Sequence, residues 1–424
     1  MRSAESNKRW RYKMKKLISL LLMVALLIST AGIVSAEGKT VVYWTMWEST
    51  EPQGKVLKQA AEAYEASSGN KVDLQFKGRT GMREGLQPAL DAGTTIDVFD
   101  EDLDRVNNTW RAYTRDLEEL AAAANYEETS NAGLMAAARE AAGGTLKSIP
   151  YQPFVFAFFY NAAIFEECGI AEVPATWDEL LAACELIKAK GYVPITSDDA
   201  YIITNFGYHL ARLIGEEGVR RVVDNGEWAE EPAVLTAAKA YEDLAKKGYL
   251  SPTIGSAVWP SNQNGELAFG EAAIYLNGSW LPNEVKDMTG PDFRWGCFSY
   301  PSVENGINGV EASNFGAQVL AINKDSAVAQ ETFDLIQVIT KGEFDALLSK
   351  ESIGIPADSS NTEWPPMLSA VKNVMDSLAT RFSWAAGIEN NVNMTPYIKQ
   401  AFQQLCGGQI TAVQFVETLE TASK

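Results

Sequence analysis

The chain predicts an α/β fold, and three observations predict it. Phe154 to Tyr160 is apolar or aromatic at every position, the pattern of a strand buried on both faces. The opening reads strand, helix, strand. Further apolar runs then alternate with helix patterns that stop at glycine. The buried run follows Pro150-Tyr151-Gln152-Pro153, where two prolines force extended backbone. It reads as a crossing from one lobe to another, or as the core strand of a single domain.

At 424 residues there is room for two or three domains. The formal net charge is −19. The first 36 residues hold seven of the 36 Lys/Arg and one of the 55 Asp/Glu, so the body is more acidic still. Such a body repels nucleic acid and anionic lipid. One histidine, His209, excludes a multi-histidine metal centre and leaves any Ser-His-Asp triad to that residue. Its apolar helical setting reads as core. Cys168, Cys184, Cys297 and Cys406 form no CxxC pair. Cys168 and Cys184 flank a turn, as a disulfide or as two small core residues. The eleven Trp and fifteen Tyr supply flat faces that suit sugar rings, or fill a core.

In chain order, basic residues from Arg9 to Lys16 precede the apolar run Leu17 to Ile28. Val34-Ser35-Ala36 then offers a small-residue cleavage site, so 1–36 reads as a signal peptide. An uncleaved anchor over Leu17 to Val34 is the alternative. No cysteine follows the run, so a lipobox is absent. Thr40 to Trp47 is the first strand, Gln53 to Ser67 a helix, and Lys71 to Phe76 the second strand. Gly38-Lys39-Thr40 lacks the partner glycine of a phosphate loop, since position 33 is Ile33. Thr95 to Phe99 is strand three, and the charges from Asp100 to Arg105 read as a solvated turn, without the spacing of a Ca²⁺ loop. Thr176 caps a helix that stops at Gly191. Residues 215–250 read as helical. Phe269-Gly270 to Asn277-Gly278-Ser279-Trp280 is a strand ending in a tight turn that brings Trp280 out. Phe315 to Asn323 is a long strand, and Gly354-Ile355-Pro356 a turn.

Several of these stretches resemble the family 1 extracellular solute-binding proteins, the maltose-binding-protein-like sugar receptors of ABC importers. The residues are Phe158-Phe159-Tyr160-Asn161 with Phe165, Pro174 to Glu179, Asn277 to Trp280, and Gly354 with Pro356. Gln152 departs from the pattern, which has a small residue there. The resemblance runs from Thr40 to the C-terminus. It implies a two-lobe periplasmic-binding-protein-like fold with three inter-lobe hinge crossings. Lobe 1 would hold 37–152 and 320–360, and lobe 2 would hold 153–319 and 361–424.

The resemblance also implies a receptor without a catalytic step, cofactor or metal. It would be a monomer outside the cytoplasmic membrane, periplasmic or at the cell surface. Its partners would be a sugar and the membrane-spanning permease subunits of an ABC importer. Position by position it points to Trp44, Trp47, Glu48, Arg79, Asp102, Asp104, Arg105, Asp199, Tyr201, Trp280 and Trp384 as ligand-binding. Stacking aromatics and charge-assisted hydrogen bonds to hydroxyls are the chemistry expected. A secreted glycoside hydrolase is the rival, with Trp-rich clefts and paired carboxylates of its own. A receptor of this fold for iron or a quaternary amine is another; the first wants tyrosine with histidine, the second an aromatic cage.

Overall fold

The computed structural model describes residues 38–290 and 292–424, so the signal peptide read over 1–36 lies outside the described residues. Two hydrophobic cores form. One runs from Val41 to Tyr151 and from Val319 to Leu348. The other runs from Val155 to Ala312 and from Ile355 to Leu419. Each is closed by burial of apolar surface, worth about 25 cal/mol per Å². The chain passes between them three times, and Phe315 packs against both. The part built on the first core is called lobe 1 below and the part built on the second core lobe 2.

Among the described residues, nine strands form one mixed sheet system: β1 (Thr40–Thr45), β2 (Lys71–Phe76), β3 (Val98–Asp102), β4 (Ile149–Asn161), β5 (Val193–Thr196), β6 (Ala272–Gly278), β7 (Trp295–Phe298), β8 (Ala312–Ile322) and β9 (Thr380–Phe382). The order is β2-β1-β3-β8-β4-β6-β5, with β7 on β4 and β9 on β8. The long strands β4 and β8 are antiparallel and serve both lobes. Ile149 to Val155 of β4 pairs with β8, and Phe156 to Asn161 pairs with β6 and β7. Near-continuous burial along β4 explains its unbroken apolar run, since both faces meet other elements.

The crossing in β4 carries a bulge. Register shifts between Tyr151 and Pro153, and Gln152 sits at φ 49°. A left-handed residue with a side chain is strained, which gives a reason for a small residue at this place. Here the Gln152 side chain is tied on both sides, donating to Ser352 Oγ at 2.9 Å and accepting from Gln53 at 3.2 Å. The third crossing is fastened to lobe 1. Asp345 accepts from the backbone of Ala357 and Asp358 and from Asn361 Nδ2.

Three expectations are corrected. Strand three runs from Val98 to Asp102, and its charges are not a solvated turn: Asp100 and Glu101 are buried. Each has partners that make burial tolerable, since a buried charge persists where donors surround it. The helical stretch 215–250 is two helices, Ile202–Asn225 and Pro232–Lys246, with Pro232 opening the second and a non-helical Gly215 inside the first. Gly278 ends a strand and has no left-handed φ; it is needed because the Trp280 ring folds back over it. A Cβ there would lie 2.4 Å from the indole. Beyond Leu378, β9 and the turn Trp384–Asn390 were not anticipated.

His209 is buried, with Nδ1 3.0 Å from the Tyr300 hydroxyl, and burial lowers its pKa to about 3. It stays neutral inside lobe 2 and cannot serve a triad at the surface. All four cysteines are buried and free, so Cys168 and Cys184 form no disulfide. No described helix is long and apolar enough to cross a membrane.

Candidate functional site

The sheet directions decide which loops meet. In lobe 1, β1 runs parallel to β2 and to β3, so their C-terminal ends share one edge. There Asp102 pairs with Gln318 of β8, and Gln318 pairs with Tyr151 of β4. In lobe 2, β5 and β6 are parallel, β5 ending opposite Tyr275 and β6 three residues further on, and Gly278 pairs with Phe156 of β4. Both sets of strand ends therefore open at the crossing and face each other, the place where α/β sheets present ligand sites.

On the lobe-2 side, Tyr201, Trp280 and Trp384 are brought together. The Trp280 and Trp384 rings are 8° from parallel with centroids 6.1 Å apart. Trp280 meets Phe154 at 5.6 Å and Phe156 at 5.3 Å, edge to face, and its Nε1 donates to the Tyr201 hydroxyl at 3.3 Å. Each such aromatic pair is worth about 0.5–1.5 kcal/mol beyond burial. Tyr201 is fixed from behind by buried Asp198, which accepts from the Ala200 and Tyr201 amides at 2.7 and 3.1 Å and from the Tyr275 hydroxyl. Burial pushes Asp198 up to about 6 despite these donors. Trp384 packs on Phe156 at 4.9 Å, and the preceding Ser383 binds the Glu216 carboxylate through its amide and hydroxyl, both at 2.6 Å. Asp199 accepts the Trp259 amide at 2.8 Å.

On the lobe-1 side, Trp47 and Arg79 are brought together. The guanidinium lies 4.8 Å from the Trp47 ring centroid and donates to Glu51 at 2.9 Å. Trp47 Nε1 donates to the Tyr151 hydroxyl at 2.7 Å, and that hydroxyl donates to Asp100 at 2.6 Å. Asp100 also accepts from Tyr43, Thr45 and the Met46 amide. Burial pushes it up to about 6 against four donors. This buried carboxylate ties β1, β3 and β4 together beneath Trp47. Glu48 is exposed, and its carboxylate lies against Gly78.

Asp102 caps the helix Leu103–Thr109, accepting from the Asp104 and Arg105 amides. Burial and then the adjacent Asp104 carboxylate raise it, opposed by Arg381. Asp104 receives Arg381 of β9 at 2.7 Å, and both side chains are largely buried. The same guanidinium donates to the Phe315 carbonyl at 2.8 Å. This ion pair joins the lobes. Arg105 points to solvent from that helix. Trp44 stands apart, on the face of β1 opposite Tyr43 and Thr45, with Lys77 Nζ 3.7 Å from its ring centroid.

Sequence reasoning missed Phe154, Phe156, Glu51, Arg381, Trp259 and Glu284. The first two looked like plain strand core. Arg381 lies on a three-residue strand with no pattern to read. Glu284 follows Trp280 by one helical turn, its amide donating to the Trp280 carbonyl at 3.1 Å. Its pKa is raised to about 7, by desolvation first, with hydrogen bonds to Trp259 and Asn264 and the Arg79 charge working the other way. The residue is exposed, so cleft water screens part of that shift. A basin of about 650 Å³ lined by Asn107, Arg111, Lys147 and Lys324 lies elsewhere on lobe 1 and shares no residue with these groups.

Residues 47–343 match the model of the bacterial extracellular solute-binding proteins. The chain belongs to that family. Among solute-binding proteins it is 28% identical over 200 residues to the multiple sugar-binding protein of Streptococcus mutans, covering 46% of this chain and 47% of that one. It is 23% identical over 350 residues to the lactose-binding protein of Rhizobium radiobacter, covering 78% and 77%. The chain spans about half the length of several curated relatives it matches. Its fold is that of a chitin oligosaccharide binding protein, with a TM-score of 0.70 at 21% identity over 91% of this chain and 98% of the other. Families of this kind bind substrates as receptors.

Proposed function

We propose that this protein is an extracellular receptor that holds an oligosaccharide between its lobes and delivers it to the membrane-spanning permease subunits of an ABC importer. The observation that carries the reading is the aromatic group Tyr201, Trp280 and Trp384 at the lobe-2 strand ends, opposite Trp47 and the Arg79–Glu51 pair of lobe 1. Flat indoles stack on the C–H faces of sugar rings, while Glu48, Arg79, Asp102, Asp104, Arg105 and Asp199 supply charge-assisted hydrogen bonds to hydroxyls. Trp44 belongs to the proposed set by its place on β1, with the least support from its contacts. Lobe boundaries at 152/153, 319/320 and 360/361 are part of this reading; Val319 packs in the first core and Ile355 in the second, a few residues to the other side of two of them. The receptor acts as a monomer, without catalysis, after export across the cytoplasmic membrane to the periplasm or cell surface. A thermal-shift screen over mono- and oligosaccharides, followed by calorimetry and chromatography of the recovered sugar, tests this. Saturable binding with intact sugar is expected. Turnover would make the protein a glycoside hydrolase, and a panel without any binder would sink the sugar reading.

A further inference from the structure

Two of the three crossings carry a left-handed residue with a side chain. Gln152 in the first and Ile353 at the start of the third both sit at φ 49°. Ile353 ends the helix Gly342–Ser352, where glycine is the usual residue and a β-branched one is strained. Such conformations persist only where the surroundings hold them. One side chain links the two. The Gln152 amide nitrogen donates to Ser352 Oγ at 2.9 Å, and Ser352 Oγ donates to the Leu348 carbonyl at 2.5 Å. With the hydroxyl proton committed to Leu348, Gln152 has to present its amide nitrogen there. Its Oε1 is thereby turned to Gln53, which donates from Nε2 at 3.2 Å. The three bonds run in one direction, so each polarises the next. Gln53 and Ser352 are buried.

The other end of this hydrogen-bond chain is the proposed ligand wall of lobe 1. Gln53 lies in the first turn of the helix Pro52–Ser68, two residues after Glu51. That turn is bound to the wall. The Glu48 amide donates to the Glu51 carboxylate at 2.7 Å, and the Glu51 amide donates to the Glu48 carbonyl at 3.1 Å. Gly54 comes so close that a Cβ would stand 2.1 Å from the Glu48 carbonyl oxygen. We infer that Gln152 is a positioning residue whose side chain ties the first crossing, the third crossing and the Glu48–Glu51 wall into one hinge unit, so that a ligand gripped by the wall turns both crossings together. The ligand's part in this rests on the receptor reading above; the tie between the crossings does not.

Spin labels at Glu84→Cys on lobe 1 and Lys372→Cys on lobe 2, both exposed, report the inter-lobe distance distribution of the full chain without ligand. The four native cysteines are buried. Gln152→Ala should widen that distribution, and Gln53→Ala and Ser352→Ala should each widen it less. Gln152→Ala with Ser352→Ala should be no wider than Gln152→Ala alone, because both remove the same link. Gln152→Gly relaxes the backbone, so it should stay as wide while melting above Gln152→Ala. With a sugar confirmed by the screen, Gln152→Ala should weaken binding several-fold, since a looser free state has more freedom to lose. An unchanged distribution in Gln152→Ala with a lowered melt would make Gln152 merely structural, and an unchanged distribution with an unchanged melt would remove it altogether. Additive widening in the double variant would mean that the two residues act separately. Unchanged affinity in a widened variant would overturn the link to the wall. Absence of any sugar binding by the unaltered chain would overturn the receptor reading and leave the distance result to decide the tie between the crossings.

Discussion

Asp100 holds together more of lobe 1 than any surface contact near the cleft. Four donors converge on it, from Tyr43, Thr45, Met46 and Tyr151. Asp100→Asn replaces one acceptor oxygen with a donor facing donors. A loss of about 2–4 kcal/mol in urea melts is expected. Its folded pKa of about 6 lies above the ordinary 3.8, so the folded state binds the proton more tightly. The stability it contributes is full below about pH 4 and is lost as pH rises to about 6. Melts at pH 4 to 7 should show that slope reduced in Asp100→Asn; an unchanged slope would place its origin elsewhere. At the cleft, Trp280→Ala removes both a stacking face and a packed ring. Affinity for a bound sugar should fall by about 1–3 kcal/mol. Stability should fall too, because Trp280 packs on Phe154, Phe156 and Trp384. Full affinity with lost stability would make Trp280 structural.

Among the elements, the helix Ile202–Asn225 is the one whose interruption shapes lobe 2. Its first half is buried on nearly every residue, and it turns at Gly215 with φ 71° and ψ 168°. That conformation strains any L side chain, and Ile307 stands 3.3 Å from where a Cβ would go. Gly215→Ala should cost about 1–2 kcal/mol by chemical denaturation. A neutral result would mean that the helix straightens without loss. The break lets Glu216 leave the helix line and bind Ser383, which in turn sets the base of the Trp384 turn. A straight helix read from apolar spacing gives no sign of this.

For the molecule as a whole, β4 and β8 act as two adjacent hinge strands, with the third crossing fastened to Asp345. The Asp104–Arg381 pair at 2.7 Å is a polar link between the lobes beside that hinge. Hinge closure on a ligand is the standard motion of two lobes so joined. Small-angle scattering should show a smaller radius of gyration at saturation with a confirmed sugar. Asp104→Asn should enlarge the unliganded particle and weaken binding several-fold, since the link biases the lobes toward each other. An identical radius with and without ligand would count against closure.

Much of this was legible in the chain because it is local. The run Phe154 to Tyr160 specified a doubly buried strand, Thr176 specified a helix N-cap, which the structure completes as a capping box with Glu179, and Asn277 to Trp280 specified a strand end carrying an indole. These depend on neighbours within a few residues, where periodicity and capping operate. What only the tertiary structure decided is pairing across the chain. Asp100 looked like part of a solvated turn because its donors, Tyr43 and Tyr151, lie 57 and 51 residues away. Arg381 meets Asp104 from 277 residues away, and Trp384 meets Trp280 through a turn of left-handed residues at Ala385, Ala386 and Gly387. Burial of a charge, or the facing of two rings, is set by which distant strand supplies the partner, and no local spacing encodes that.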